Sequence, residues 1–205
     1  MIASRVSRMQ LCFFFVVALS AMPLRGQTVE DLLTRAELTD FAETTSYDEV
    51  MALSEGLAEL SENIHLTTFG YTNEGRALPL LVIGAPDASA AAVLRTGKTR
   101  VYVQGNIHGG EVCGKEALLM MLRRYGMGVY PNWTDELVLL IAPIYNADGN
   151  ERVSLRNRPR QHGPIGGMGQ RPNAQGLDLN RDHTKLDSPE ARSLVRLMTD
   201  RKSVV

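Results

Sequence analysis

The chain has 205 residues, enough for one α/β domain with a buried core, although many catalytic domains of this kind are longer. Its formal net charge is -1, with acidic and basic residues interspersed. These values exclude a strongly basic nucleic-acid-binding protein and an acidic solvating tail, so no nucleic-acid partner is expected.

The N-terminus has the pattern of a secretory signal peptide. Arg5 and Arg8 precede an apolar run, LCFFFVVALSA at 11–21, and small or turn-forming residues follow it. A membrane anchor is the alternative, but this run is well short of the roughly 20 residues that span a bilayer. We therefore expect residues 1–26 to be a cleaved signal peptide, no stable membrane anchor, and a secreted or periplasmic protein. Cys113 would be the one cysteine of the mature chain, which excludes an intramolecular disulfide.

The next part of the chain predicts a helix followed by a hairpin. Ser46 and Glu49 have the spacing of a capping box, and apolar residues recur at helical intervals from Val50 to Leu60. Two short apolar stretches, IHLTTFGY and ALPLLVIG, then flank the turn-like TNEGR. This arrangement is typical of a β-hairpin.

A strand, a loop and a helix are predicted next, followed by another strand. TRVYVQ is rich in β-branched and aromatic residues, glycines follow it, and EALLMMLRRYG has helical spacing. DELVLLIA reads as a buried strand that ends at the turn NADG. This order predicts a right-handed crossover and a mainly parallel sheet. His108 and Asp148 fall at the carboxyl ends of these strands, where sites form in such sheets.

The segment between 150 and 176 predicts a long loop, because it is rich in Arg, Gly, Pro, Asn and Gln without an apolar period. GLDLNRDH then predicts a short strand that ends at Asn180 and Arg181. SPEARSLVRLM predicts a helix with Ser188 as its cap and Pro189 at its first position. We find neither an internal repeat nor a second domain.

A histidine and a glutamate lie close together in NIHGGEVCGKEALL, where the strand pattern gives way to the helix pattern. Imidazole and carboxylate hold zinc in many hydrolases, with one position left for water. Gly109 and Gly110 let the backbone turn so that the side chains of His108 and Glu111 converge. Alone this motif is weak, because a glutamate that begins a helix is also favoured by the helix dipole.

Together with NADG and GLDLNR, this motif resembles the zinc carboxypeptidase family of the pancreatic type. The resemblance runs from about Phe69 to Glu190 and includes FGYTNEGRALPLLVIG and GLDLNRDHTK. It implies a three-layer α/β/α fold with a mixed, mainly parallel sheet, in which residues 27–199 form an incomplete catalytic domain. It also implies one Zn²⁺ ion and a peptide or peptide-like substrate with a free C-terminal carboxylate.

The resemblance implies roles for three residues at the metal. His108 and Glu111 match the first two zinc ligands. Asp178 matches a carboxylate that receives the free N–H of the ligating histidine. Such a partner would fix the orientation of the ring and raise the basicity of the ligand.

The resemblance also implies residues that hold the substrate. Asn180 and Arg181 match the pair that binds the terminal carboxylate, a task that suits the two-pronged guanidinium. A further arginine polarises the scissile carbonyl. Its distance upstream of Asn180 favours Arg158, and Arg171 is the rival.

Each assignment has an ordinary alternative. Asp178 could cap a turn, and Asn180 and Arg181 could be a surface pair. Asp148 fits a turn former better than a catalyst. Cys113 fits a small packed residue of the helix, and no catalytic triad is evident.

The family pattern further requires a third zinc ligand, a histidine after another strand, and a later glutamate that acts as general base. Neither has room before Val205, and His183 follows Arg181 too closely to match the histidine. The peptide DRKSVV at 200–205 interrupts the helical pattern and matches what a widely used sequencing adapter encodes. We therefore expect 200–205 to be an artefactual tail and the chain to be an inactive N-terminal fragment.

The expected function of the complete enzyme is that of a zinc-dependent metallocarboxypeptidase, with zinc activating water and Arg181 reading the substrate carboxylate. One alternative is a zinc-dependent deacylase of N-acyl amino acids, because such enzymes have a similar fold and a similar His and Glu motif. The other is a carboxylate-binding module that has lost the metal chemistry. The intact His108 and Glu111 motif favours the enzyme.

Overall fold

The computed structural model of the protein describes residues 28–201. The predicted signal peptide at 1–26 lies outside this range, as do the last four residues of the predicted tail. Four strands are present: β1 Ile64–Tyr71, β2 Ala77–Ile83, β3 Thr99–Gln104 and β4 Leu137–Ala142. The α-helices are α1 Arg35–Leu38, α2 Tyr47–Leu60, α3 Ala90–Arg95, α4 Val112–Gly126, α5 Ala147–Glu151 and α6 Pro189–Arg201. Two 3₁₀ helices, η1 Val29–Asp31 and η2 Leu179–Arg181, complete the set.

The strands form one mixed sheet in the order β1-β2-β4-β3. The predicted hairpin is confirmed, with β1 antiparallel to β2. β2 is also antiparallel to β4, and β3 is parallel to β4, with Thr99 opposite Leu137. The mixed sheet is therefore confirmed, but only one of the three described pairings is parallel. The difference arises because the crossover rule applies to β3 and β4, whereas the short TNEGR turn reverses the chain between β1 and β2.

Helices cover both faces of the sheet, which confirms the α/β/α layering. Leu80 and Val82 of β2 pack in one hydrophobic cluster with residues of α3 and α6. Leu81 and Ile83 point to the other face and pack in a second cluster with residues of α2, α4 and η1. This alternation follows from the two-residue period of a strand. Among residues 28–201, no helix is long and apolar enough to cross a membrane.

Two predicted helices begin where their capping residues place them. The Ser46 side chain accepts a hydrogen bond from the Glu49 amide, and the Glu49 carboxylate accepts one from the Ser46 amide at 2.8 Å. Ser188 Oγ likewise accepts from the Ala191 amide at 3.1 Å at the start of α6. α6 runs on through Asp200 and Arg201, so the helix continues into the first two residues of the predicted tail.

The prediction of a strand at GLDLNRDH is wrong. Residues 179–181 form η2 instead, with Asp178 as the N-cap. The Asp178 side chain accepts a hydrogen bond from the Asn180 amide at 3.0 Å. An aspartate that bonds the backbone two residues ahead favours a turn over an extended strand, and this local bond prevails here.

The long loop after α5 is ordered by contacts with the strand ends. The Asn146 side-chain amide donates to the carbonyls of Arg171 and Pro172, at 3.1 and 3.2 Å. The Gln170 amide donates to the Gly149 carbonyl at 2.9 Å. The loop thereby folds back over the carboxyl ends of β3 and β4, where the predicted site residues lie.

Candidate active site

The site is built on two loops that follow the neighbouring strands β3 and β4. The Tyr145 amide donates to the Gly105 carbonyl at 3.2 Å, and the Asn146 amide donates to the Asn106 carbonyl at 3.0 Å. Asn106 has φ 60°, a left-handed conformation that asparagine tolerates better than most residues. Its side-chain amide donates to the Gly109 carbonyl at 3.1 Å and thereby closes the loop that carries His108.

Gly109, Gly149 and Gly169 meet where this loop touches the rest of the site. A Cβ on Gly109 would lie 2.5 Å from the amide nitrogen of Asn150, and a Cβ on Gly169 would lie 2.7 Å from the Gly109 carbonyl oxygen. Both distances are shorter than real Cβ contacts, so glycine is required at both positions. The close approach joins the metal motif, the NADG segment at the start of α5 and the long loop into one unit.

His108 lies between two carboxylates. Its Nδ1 is 2.9 Å from Glu111 Oε1, and its Nε2 is 3.0 Å from Asp178 Oδ1. The imidazole is buried, with 4% of the residue exposed, whereas the Glu111 side chain is 46% exposed. The structure therefore brings together three of the residues that the sequence predicted, from segments 70 positions apart.

Both carboxylates are held in their charged form. Burial raises the pKa of Glu111, but the hydrogen bond and charge of His108 and those of Arg158 outweigh it, so the pKa lies below its ordinary value. Burial likewise raises the pKa of Asp178, while hydrogen bonds from His108, Arg171 and the Asn180 amide bring it below its ordinary value. Ionised carboxylates are what a metal ligand and an acceptor for a ligating histidine need.

The two candidate arginines each bind one of these carboxylates. Arg158 Nη2 donates to Glu111 Oε1 at 3.1 Å, and its side chain is 12% exposed. Arg171 donates from Nε and Nη2 to Asp178 Oδ2 at 3.1 and 2.9 Å, and its side chain is 48% exposed. Both residues thus border the same site.

Asn180 and Arg181 lie exposed on η2, directly after Asp178. Arg181 Nη1 donates to the Asn180 carbonyl at 2.9 Å. Within the described part of the chain, Arg181 makes no ion pair. Its charge is therefore not neutralised by a described carboxylate, and it lies on the segment that also carries Asp178.

The donor set fits part of a zinc site. His108 Nδ1 and Glu111 are of the ligand types that zinc takes, and Asp178 occupies the other ring nitrogen. Among the residues that the structure describes, no group of three or more His, Cys, Asp or Glu side chains is arranged to hold a metal ion. His183 therefore does not complete the set.

Two expectations about neighbouring residues are corrected. Asp148 lies in helix α5 rather than in a turn; it is fully buried and accepts hydrogen bonds from Thr72 Oγ1 and Arg76 Nη1, each at 2.7 Å. Cys113 is exposed rather than packed, and Lys115 is fully buried instead. The apolar period of the helix did not indicate that Lys115 is buried. The one available signal was a charged residue on the helix that begins at the site.

Comparison with known proteins finds zinc carboxypeptidases. The zinc carboxypeptidase family model matches residues 50–198. Carboxypeptidase E from Caenorhabditis elegans is 34% identical over 159 residues, which cover 73% of this chain and 32% of that protein. Probable carboxypeptidase 2 from Arthroderma benhamiae is 29% identical over 132 residues, 62% of this chain and 22% of that protein. The chain thus spans about a third or less of these relatives.

Solved structures share the fold. The carboxypeptidase A from Helicoverpa armigera superposes with a TM-score of 0.60 at 19% identity, and the match covers 78% of this chain and 44% of the other. A metallo-carboxypeptidase from Pseudomonas aeruginosa, in complex with (2-guanidinoethylmercapto)succinic acid, gives a TM-score of 0.53 at 22% identity. That match covers 76% of this chain and 37% of the other.

Proposed function

The chain belongs to the zinc carboxypeptidase family, and from this premise we propose that it carries the first part of the active site of a metallocarboxypeptidase. The proposed reaction is zinc-dependent hydrolysis of the C-terminal peptide bond, or a similar amide bond, of a substrate with a free carboxylate. The observation that carries the proposal is the placement of His108 between Glu111 and Asp178.

In this proposal His108 Nδ1 and Glu111 hold the zinc ion. Bound zinc supplies a Lewis acid that polarises a carbonyl and activates water. The N–H of His108 Nε2 donates a hydrogen bond to Asp178 Oδ1, which would leave Nδ1 as the unprotonated ligand and fix the ring plane. Glu111, which lies within hydrogen-bond distance of His108 Nδ1, would supply the second ligand.

Asn180 and Arg181 are the proposed site for the substrate carboxylate. Arg181 is exposed on η2, three residues after Asp178, so a carboxylate bound there would lie on the same segment that orients the His108 ring. A guanidinium binds both carboxylate oxygens in one plane. This contact selects substrates that end in a free carboxylate.

Arg158 is the proposed arginine that polarises the scissile carbonyl, with Arg171 as its rival. Arg158 contacts the proposed ligand Glu111 directly, so its guanidinium would lie nearer to the metal than that of Arg171, which contacts Asp178. Arg171 is tied to Asp178 by two hydrogen bonds and is more exposed. Replacing each by methionine separates them, because loss of oxyanion stabilisation lowers kcat by about 100-fold to 1,000-fold while leaving KM nearly unchanged.

We further propose that the third protein ligand comes from sequence beyond that given. A catalytic zinc takes three protein ligands, and the described residues supply two. The chain alone should therefore bind zinc weakly and be inactive. Sequencing the genomic region downstream of the Leu197 codon tests this, since a continuing frame should encode a histidine after the next strand and a later glutamate.

The protein encoded by that longer frame provides the test of function. With zinc bound it should release the last residue of a peptide with a free C-terminus and leave the same peptide untouched when its C-terminus is amidated. Cleavage of N-acyl amino acids but not of peptides would favour the deacylase. Stoichiometric zinc absent from the longer protein would favour the carboxylate-binding module. N-terminal sequencing of the protein from culture medium or periplasm tests the proposed cleavage near residue 26.

A further inference from the structure

Lys115 is a buried cation that the proposed reaction does not use. It lies in α4, one helical turn after Glu111, and none of its surface is exposed. Its ammonium donates to the Thr45 carbonyl and, at 2.8 Å, to Asn150 Oδ1. A fully buried lysine is rare unless it is paired, so these contacts require an explanation beyond packing.

Its neighbour Glu116 is buried beside it and binds the same segment. Glu116 Oε1 accepts hydrogen bonds from Thr44 Oγ1 at 2.7 Å and from the Thr45 amide at 2.8 Å, and it lies 3.8 Å from the Lys115 ammonium. Glu116 Oε2 accepts from Thr45 Oγ1 at 2.6 Å. Glu116 thus holds residues 44–45, and Lys115 links that segment to Asn150.

Asn150 connects this linkage to the loop of His108. Its backbone packs against Gly109, since a Cβ on Gly109 would lie only 2.5 Å from the Asn150 amide nitrogen. Gly109 directly follows His108, so a shift of Asn150 displaces the backbone next to the imidazole. No side chain lies between them to absorb the movement.

We propose that Lys115 is the positioning residue of the His108 loop, acting through Asn150 and the backbone contact of Asn150 with Gly109. This inference rests on the proposed role of His108 at the metal, but the geometry that it predicts exists without metal. Lys115 holds Asn150, against which the loop packs, and has no proposed contact with substrate or zinc. The conformation of the loop therefore depends on the charge of a residue outside it.

The charge of Lys115 is sensitive to pH. Burial lowers its pKa to about 8, and three carboxylates raise it in part: Glu116 on its own helix, Glu151 on α5 and Glu49 on α2. Glu49 is already paired with Arg35. Above pH 8 the amine loses its charge and one donor, and the linkage between residues 44–45 and Asn150 weakens.

The same deprotonation acts in the opposite direction on the whole fold. Because the pKa is below its ordinary value of 10.5, the unfolded chain binds more protons than the folded chain between about pH 8 and 10.5. Through Lys115, the free energy of unfolding therefore rises with pH in this window. If the loop loosens at alkaline pH, the cause is therefore not a loss of global stability through Lys115.

Hydrogen exchange of the metal-free chain tests the proposal. Protection factors, corrected for intrinsic rates, are measured over residues 106–111 and 146–151 from pH 7 to 9.5. In the wild type they should fall as pH passes 8. Lys115→Met should lower them at pH 7 by about tenfold to a hundredfold, the size expected for a lost buried hydrogen bond to a charge. Lys115→Arg, which stays charged, should keep the protection at pH 9.5.

Lys98→Met is the matched control. Lys98 likewise joins two segments through its ammonium, which donates to the backbone carbonyls of Thr134 at 2.6 Å and Gly84 at 3.3 Å, at the other end of the sheet. It should leave protection over 106–111 unchanged. Wild-type protection that is independent of pH, or a Lys115→Met chain as protected as the wild type, overturns the proposal. Zinc binding is scored separately in the longer protein, so the expected protection in this chain together with no zinc affinity in the longer protein refutes the metal site and leaves the positioning role intact.

Discussion

The ion pair between Asp148 and Arg76 should be among the most stabilising polar contacts near the site. Asp148 is fully buried, and its two oxygens accept three hydrogen bonds, from Thr72 Oγ1, the Glu74 amide and Arg76 Nη1. All three partners are donors. Asp148→Asn removes the charge and also turns one acceptor into a donor, so at least one partner loses its bond.

Breaking one side of a buried ion pair costs about 3–5 kcal/mol. Because the Arg76 side chain is 28% exposed and keeps Glu74 as a second partner, the low end applies, and we expect Asp148→Asn to lower the free energy of unfolding by about 3 kcal/mol. Glu74→Gln is the matched control. Glu74 binds the same arginine but is 37% exposed, so it should cost at most about 1 kcal/mol.

Urea unfolding followed by circular dichroism measures both variants on the chain itself. The midpoint of Asp148→Asn should shift to lower urea with an unchanged slope, which indicates a stability change without a change in the exposed surface. If Asp148→Asn and Glu74→Gln destabilise the chain equally, burial does not set the strength of this pair. The reasoning would then be refuted.

Three further predictions concern single residues. In the longer protein, Asp178→Asn should weaken zinc binding by about tenfold to a hundredfold in a competition assay with a chromogenic chelator, because the partner of His108 Nε2 loses its charge; unchanged affinity would contradict the role of Asp178. In the longer protein, Arg181→Met should reduce kcat/KM for peptides with a free C-terminus while zinc content stays the same, and an unaltered kcat/KM would exclude Arg181 from carboxylate binding. At Glu37, burial raises the pKa but hydrogen bonds from Arg123 hold it below its ordinary value of 4.5, so its contribution to stability is present above that value and is lost as pH falls through the folded pKa. Glu37→Gln should therefore destabilise the chain at pH 7 and bring it close to the wild type at strongly acidic pH; an equal deficit at both would refute this.

The sequence predicted best those elements whose signals are local. The capping box at Ser46 and Glu49, the hairpin around TNEGR and the helix that begins at Pro189 are each determined by residues a few positions apart. The η2 turn was mistaken for a strand because leucine alternates with polar residues there, and that pattern hides the cap made by Asp178. Local bonds then override apolar periodicity.

The contacts that the sequence missed are those between distant segments. Nothing in the spacing of Thr45, Lys115 and Asn150 shows that they meet, because they lie on three elements joined only by the fold. The pairing of Asp148 with Arg76 was hidden for the same reason. His108 and Asp178 were linked in advance only because their motifs resemble a known family. Helical periodicity likewise gave no indication that Cys113 is exposed and Lys115 buried.

The meeting of Gly109, Asn150 and Gly169 limits how this site can be transferred or redesigned. If the His108 motif alone is grafted into another α/β scaffold, its loop no longer has the backbone surface against which it packs here. The motif, the NADG segment at the start of α5 and the segment around Gly169 have to be moved as one piece. Insertions between 161 and 163 should by contrast be tolerated, because that exposed stretch lies beyond Arg158 and its contact with Gln161.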